Sequence, residues 1–144
     1  MTTQIEKNEK AEVTEYFNGT GLDRWNRIYS ESDDVNKVQK NIRIGHQKTV
    51  DDVISWLKEY DNIKDKSFCD AGCGVGSLSI PLAKLGAKSI HLSDISEAMI
   101  NETKSRAKEE GLDLNKLNFR TSDLENLKGS FNTVICLDVF IHYP

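Results

Sequence analysis

The stretch "SFCDAGCGVGSLSIPLA", residues 67–83, sets glycines at 72, 74 and 76 between two apolar runs. That spacing suits a strand that turns sharply into a helix and lets bare backbone approach a ligand closely. The rest of the chain falls in step with it. "SFCDAG" reads as a buried strand and Ser77 to Leu85 as a helix. "SIHLSDI" is a second strand, and a helix from Ser96 to Glu110 is capped by Ser96 and ended by Gly111. "NFRTSD" and "TVICLDVF" supply two more strands. Strands separated by helices pair in parallel through right-handed crossovers, so the expected fold class is α/β.

Upstream of the glycine turn the rhythm is helical from about Asn8 to Tyr60. "VTEYF" and "GLDRWNRIY" come first. A longer stretch from Asp34 follows, in which Val35, Val38, Ile42, Val50, Val53, Ile54 and Leu57 recur mostly at three- and four-residue steps. Asp34 is the expected N-cap, and Gly45 a weak point within the helix. Residues 1–62 therefore form a helical arm or cap, and residues 63–144 the ligand-binding core.

In a parallel sheet the ligand sits beyond the carboxyl ends of the strands. A phosphate-binding P-loop is excluded, because no Gly-Lys-Ser/Thr follows the glycines. The dinucleotide fingerprint also fails, since Ser77 stands where its third glycine belongs, and Asp70 would set a carboxylate near a pyrophosphate. Both objections disappear for a ligand with a cationic amino group and no phosphate, as in S-adenosylmethionine. Asp94 closes the second strand, 18 residues past Gly76, where a carboxylate can accept from both ribose hydroxyls. Asp123, after the third strand, can accept from the adenine amine. Gly72, Gly74, Gly76, Asp70, Asp94 and Asp123, with the neighbours Ile95 and Ser122, form the expected cofactor set.

The bulk properties narrow the partners. A 144-residue chain with a net charge of −4 and no block of Lys or Arg offers no footprint for nucleic acid. Three cysteines without a C-x-x-C pair suggest neither a disulfide framework nor a zinc site. No metal ligands are expected. The polar start "MTTQIEKNEKAEV" lacks signal or transit character, and no apolar run is long enough to cross a bilayer. A cytoplasmic protein, at most peripheral to a membrane, is the expectation.

"CDAGCGVGSLSIPLAKLGA", "SDISEAMI" and "CLDVFIHYP", with "EYFNGTGLDRWNRIY" and "VNKVQKNIRIGHQKTVDDVISWL" upstream, resemble the magnesium-protoporphyrin IX methyltransferase family over nearly the whole chain. The glycine, Asp94 and Asp123 motifs are shared by class I methyltransferases in general. The arm motifs and "DVFIHYP" point to the porphyrin enzymes of chlorophyll biosynthesis. The resemblance implies a Rossmann-like class I sheet with helices on both faces. It implies transfer of the S-adenosylmethionine methyl group to a propionate of magnesium protoporphyrin IX, giving the monomethyl ester. It also implies contact with the large subunit of magnesium chelatase and with a photosynthetic membrane surface.

A carboxylate is already ionised at neutral pH, so it needs orientation and removal from water more than activation. His142, after the fourth strand, and Tyr29, at the end of "LDRWNRIY", are the expected catalytic pair, each suited to holding the propionate. Likeness to related small-molecule methyltransferases assigns Arg43 to the methionine carboxylate, and Leu137 and Asp138 to the methyl-donor side. His46 shares a helix face with Arg43 and receives no role. Trp25 could stack a macrocycle, whereas Trp56, His91 and Cys73 read as structural.

Three other readings compete: a quinone-type O-methyltransferase with the same cofactor site, a nicotinamide oxidoreductase, which Asp70 disfavours, and a non-catalytic cofactor-binding module. The class I fold has seven strands in the order 3-2-1-4-5-7-6, and only strands 1 to 4 are legible. The chain therefore reads as an N-terminal fragment, with weak cofactor binding and poor turnover expected of it. Robust esterification of magnesium protoporphyrin by these 144 residues alone overturns that expectation.

Overall fold

The computed structural model describes residues 3–30, 33–60 and 62–142. Four parallel strands form one sheet, β1 (Ser67–Ala71), β2 (Ser89–Asp94), β3 (Leu117–Thr121) and β4 (Thr133–Ile135), in the order β3-β2-β1-β4. This is the class I methyltransferase arrangement of these strands. Two helices cross between strands, α4 (Ser79–Lys84) and α5 (Glu97–Glu109). Three more precede the sheet: α1 (Gln4–Asn18), α2 (Thr20–Tyr29) and α3 (Lys37–Tyr60).

Alternation along the strands sorts their side chains. The register sets Phe68 beside Ile90 and Thr133, and Ile90 beside Leu117, on one face of the sheet. Leu82 of α4 and Ile100 of α5 join Phe68, Ile90 and Leu92 in the core, and Ile54 and Leu57 of α3 pack against it. The opposite face carries Cys69, His91 and Val134, of which Val134 is largely exposed.

Several boundaries differ from the sequence reading. The first helix begins at Gln4, where a capping box joins Thr3 and Glu6, earlier than Asn8. Asn36, not Asp34, caps α3: its side chain accepts from the Gln39 backbone N–H, and the Gln39 side chain accepts from the Asn36 N–H. The helix runs unbroken through Gly45, which lies on the face that carries Ile42, His46 and Thr49 into the cavity. Helix α4 is shorter than expected because residues 74–78 remain in the turn.

The largest correction concerns "TVICLDVF". Only Thr133–Ile135 pairs with β1, and the chain then leaves the sheet. Pairing stops at Asp70 opposite Ile135, next to the end of β1, so Leu137 to Val139 have no strand to follow. Asp138 adopts φ 56, the one positive φ among described residues other than glycine, and Phe140–His142 form a short 3₁₀ turn. Tyr143 and Pro144 of the "FIHYP" motif lie outside the described residues.

Polar contacts seat the arm on the core. The Asn18 side-chain oxygen accepts from Ser96 Oγ at 2.7 Å and from the Ala98 N–H at 3.1 Å. Arg106 of α5 donates to Asn26 of α2 at 3.0 Å, and Lys10 of α1 pairs with Asp123 and Glu125 after β3. Phe68, on the inner strand β1, is the largest fully buried side chain among the described residues. Phe68→Ala is expected to lower the unfolding free energy by about 3–5 kcal/mol in urea denaturation, as large cavities in a close-packed core do.

Candidate active site

The carboxyl ends of all four strands open into one cavity of about 590 Å³, roofed by the helical arm. Its floor is the glycine turn, folded back on the end of β2. The backbone N–H groups of Gly72 and Cys73 both donate to the Ser93 carbonyl, at 2.8 and 2.9 Å. Gly72, with φ 79, also lies under Val139: a Cβ there would stand 2.2 Å from a Val139 methyl. Glycine is thus required at 72 both by conformation and by space. At Gly74, with φ 53, a Cβ would meet nothing within 4 Å, so the backbone faces open volume.

Asp94 is the polar centre of this floor. One carboxylate oxygen accepts from the Gly74 N–H at 2.9 Å and the other from the Ser96 N–H at 2.9 Å. Burial raises its pKa above the ordinary carboxylate value, against the pull of the Ser96, Gly74 and Ile95 N–H groups and the nearby His142. Each oxygen keeps acceptor capacity beyond those bonds, enough for a pair of vicinal hydroxyls. Ile95 and Met99 line the wall beside it, and Ser122 and Leu124 extend that wall past β3.

Asp70 lies below the turn and does not line the cavity. Ser79 Oγ donates to its carboxylate at 2.6 Å. Burial drives its pKa up to about 6; the Ser79 bond opposes the rise and the Asp94 charge adds to it. Burial also raises the Cys73 thiol well above its usual range, which leaves a small, un-ionised packing residue.

The roof is aromatic. Tyr29 stacks between Trp25, at 5.3 Å and 26°, and His46, at 4.3 Å and 25°. His142 sets its ring edge against Phe17 at 5.1 Å and against Trp25 at 6.4 Å. Burial, with the charge of Asp138, raises the Tyr29 phenol well above its ordinary value, so it remains a hydrogen-bond donor. His46 Nδ1 lies 2.9 Å from Asp138 Oδ2, a link between α3 and the segment after β4.

Of the residues picked from the sequence, Tyr29, Gly72, Gly74, Asp94, Ile95, Ser122, Leu137 and His142 line the cavity together, while Asp70, Gly76, Arg43 and Asp123 do not. Gly76 is held by packing, with a Cβ position 2.7 Å from a Thr103 methyl. Arg43 reaches the end of α2, donating to the Ile28 carbonyl and, at 2.9 Å, to the Arg27 carbonyl. Asp123 accepts from the Asn126 N–H at 3.0 Å and so caps a 3₁₀ turn. Sequence reasoning assigned no role to His46, Phe17 or Thr49, which also line the cavity. Spacing placed His46 on the Arg43 face, but nothing local could signal a partner 92 residues away. Among the described residues no cluster of His, Cys, Asp or Glu could hold a metal ion, and no helix is long and apolar enough to cross a membrane.

A parallel sheet in this order, a glycine turn at the end of its first strand and an acid at the end of its second define a class I methyltransferase core. A family model of the methyltransferase domain matches residues 68–144, and the chain belongs to that family. More particularly, it is similar to the magnesium-protoporphyrin O-methyltransferase of Synechocystis sp., with 53% identity over 99% of this chain and 61% of that protein. It is 50% identical over 98% of its length to 45% of the chloroplastic magnesium protoporphyrin IX methyltransferase of Arabidopsis thaliana. The crystal structure of the Synechocystis enzyme with bound S-adenosylmethionine superposes with a TM-score of 0.88 at 54% identity, over 94% of this chain and 64% of that one. The chain spans about 61% and 45% of the length of these two curated relatives.

The Asp70 environment makes stability depend on pH. Its folded pKa exceeds the ordinary value of 3.8, so the native state binds more protons than the unfolded chain between 3.8 and about 6. Stability therefore falls as pH rises through that window, by on the order of 3 kcal/mol from this residue. Asp70→Asn is expected to flatten that decline and to raise stability at pH 7 in chemical denaturation; an unchanged pH profile refutes the assignment.

Proposed function

We propose that the protein transfers the methyl group of S-adenosylmethionine to a propionate carboxylate of magnesium protoporphyrin IX, yielding the monomethyl ester. One observation carries the proposal: a single cavity joins the Asp94 and glycine floor to a roof of Tyr29, Trp25, His46 and His142. Its volume and the open backbone at Gly74 suit a nucleoside, and the acceptor groups of Asp94 suit its ribose. The likeness to the porphyrin enzymes extends through the arm as well as the core.

When bound, S-adenosylmethionine supplies an electrophilic methyl on a sulfonium centre. Asp94 holds the ribose hydroxyls, and Ser122 with Leu124 flanks the adenine; Asp123, outside the cavity and bonded to Asn126 and Lys10, fixes the turn that carries Leu124. Asp70 sets a buried negative potential under the turn that favours the cationic end of the ligand. Arg43 acts on the methionine carboxylate only if it leaves the α2 carbonyls; otherwise it fixes the arm. Tyr29 donates its hydroxyl to the acceptor carboxylate, and His142 steadies the same group from the end of the sheet. Trp25 and Phe17 exclude water, which strengthens each of these contacts. Residues 1–62 act as the cap over the core of residues 63–144. Hand-over from a magnesium chelatase and peripheral membrane contact belong to the same proposal and rest on the family resemblance alone.

The test is incubation of the whole protein with methyl-labelled S-adenosylmethionine and magnesium protoporphyrin IX. Labelled monomethyl ester is the expected product, and transfer to a quinone-type phenol in its place would shift the acceptor class. Asp94→Ala is expected to weaken S-adenosylmethionine binding at least tenfold by calorimetry. His142→Phe is expected to preserve that binding and to slow transfer about a hundredfold. Equal cofactor affinity in Asp94→Ala and wild type removes the ribose assignment.

A further inference from the structure

The His46 ring lines the cavity, is 13% exposed, and stacks on Tyr29. Its Nδ1 is held at 2.9 Å by Asp138. Its Nε2 is buried and meets no hydrogen-bond partner among the described residues. Buried polar nitrogens are nearly always paired, so an orphan in a cavity wall marks a place where a ligand completes the bonding. Asp138, at positive φ, lies on the segment that leaves the sheet after β4, and that turn brings its carboxylate to the ring. A carboxylate on Nδ1 keeps the proton on that nitrogen and presents Nε2 as the acceptor in the neutral ring, or as a second donor in the imidazolium.

We propose that His46 is an acceptor-binding residue: Nε2 engages the carboxyl group that receives the methyl, with Asp138 fixing the ring and its tautomer. The inference rests on the methyl-transfer reading above and adds a residue to it. If the acceptor enters as the acid, its O–H proton passes to Nε2, leaving a carboxylate against an imidazolium whose Nδ1–H stays on Asp138. If it enters ionised, the imidazolium donates to it from Nε2. Either route ends in the same carboxylate, imidazolium, carboxylate row beside the Tyr29 hydroxyl. The row orients the nucleophile and keeps it dry.

A purely structural role, in which His46 only fastens α3 to the segment after β4, predicts something different, and two substitutions separate the cases. Asparagine at 46 keeps an amide group where Nδ1 stands and removes Nε2; glutamine reaches the Nε2 position and gives up Nδ1. With the whole protein, His46→Asn is expected to lower kcat/KM for magnesium protoporphyrin IX about a hundredfold, chiefly through the acceptor KM, and to leave the S-adenosylmethionine Kd within twofold. His46→Gln is expected to recover at least tenfold of that loss. Full activity in His46→Asn overturns the inference, as does a His46→Gln variant that is worse than His46→Asn and melts at a lower temperature. Wild-type protein that binds S-adenosylmethionine but methylates no porphyrin fails at the earlier reading instead, and takes this inference with it.

Discussion

The bend of the glycine turn over the end of β2 is the constraint on which the site depends. The N–H groups of Gly72 and Cys73 converge on one carbonyl, that of Ser93, and the next N–H, that of Gly74, reaches the Asp94 carboxylate. These bonds lock the turn to the neighbouring strand, and the positive φ at Gly72 and Gly74 is what glycine supplies there. Asp94 is in turn held by the start of α5, through the Ser96 N–H. The geometry of the cavity floor thus follows from main-chain bonds and from one carboxylate, that of Asp94, itself fixed by backbone N–H groups.

The same economy concentrates negative charge. Asp70 and Asp94 sit on adjacent strands, each with its pKa raised first of all by burial, and Asp94 raises Asp70 further. Two nearby buried carboxylates cost free energy in the empty protein, and a ligand bearing positive charge recovers part of it. A buried negative field of this kind favours a cationic ligand over an anionic one such as a pyrophosphate. The aromatic roof serves the opposite end. Trp25, Tyr29 and His46 form a continuous ring stack that is apolar on its faces and polar at its edges.

What the sequence made legible was local. The three glycines, the acids at strand ends and the change of rhythm near residue 63 are each written within a few positions, and they indicated parallel α/β strands; the strand order came with the family resemblance. The errors have a common origin in long-range contacts. "TVICLDVF" has the composition of a long strand, but how far it pairs is set by where β1 ends, which its own residues do not record. Asp123 and Arg43 carry the right charge for the ligand, yet each meets a partner from elsewhere, Lys10 and the carbonyls of α2 respectively. His46 was passed over for the same reason, because its meaning comes from Asp138.

The way the arm meets the core bears on kinetics. Along α1 no residue is fully buried, and the joints at Lys10, Asn18 and Asn26 are polar bonds. Such joints are individually weak and partly screened by salt, unlike the apolar packing around Phe68. Helix α1 is therefore the least firmly held part of the arm, whereas α2 and α3 are anchored by the buried Ile28 and Val50 and by Ile54 and Leu57 against the core. Fraying of α1 would open the cavity beside Val13 and Phe17 while the glycine turn and Asp94 keep their backbone bonds.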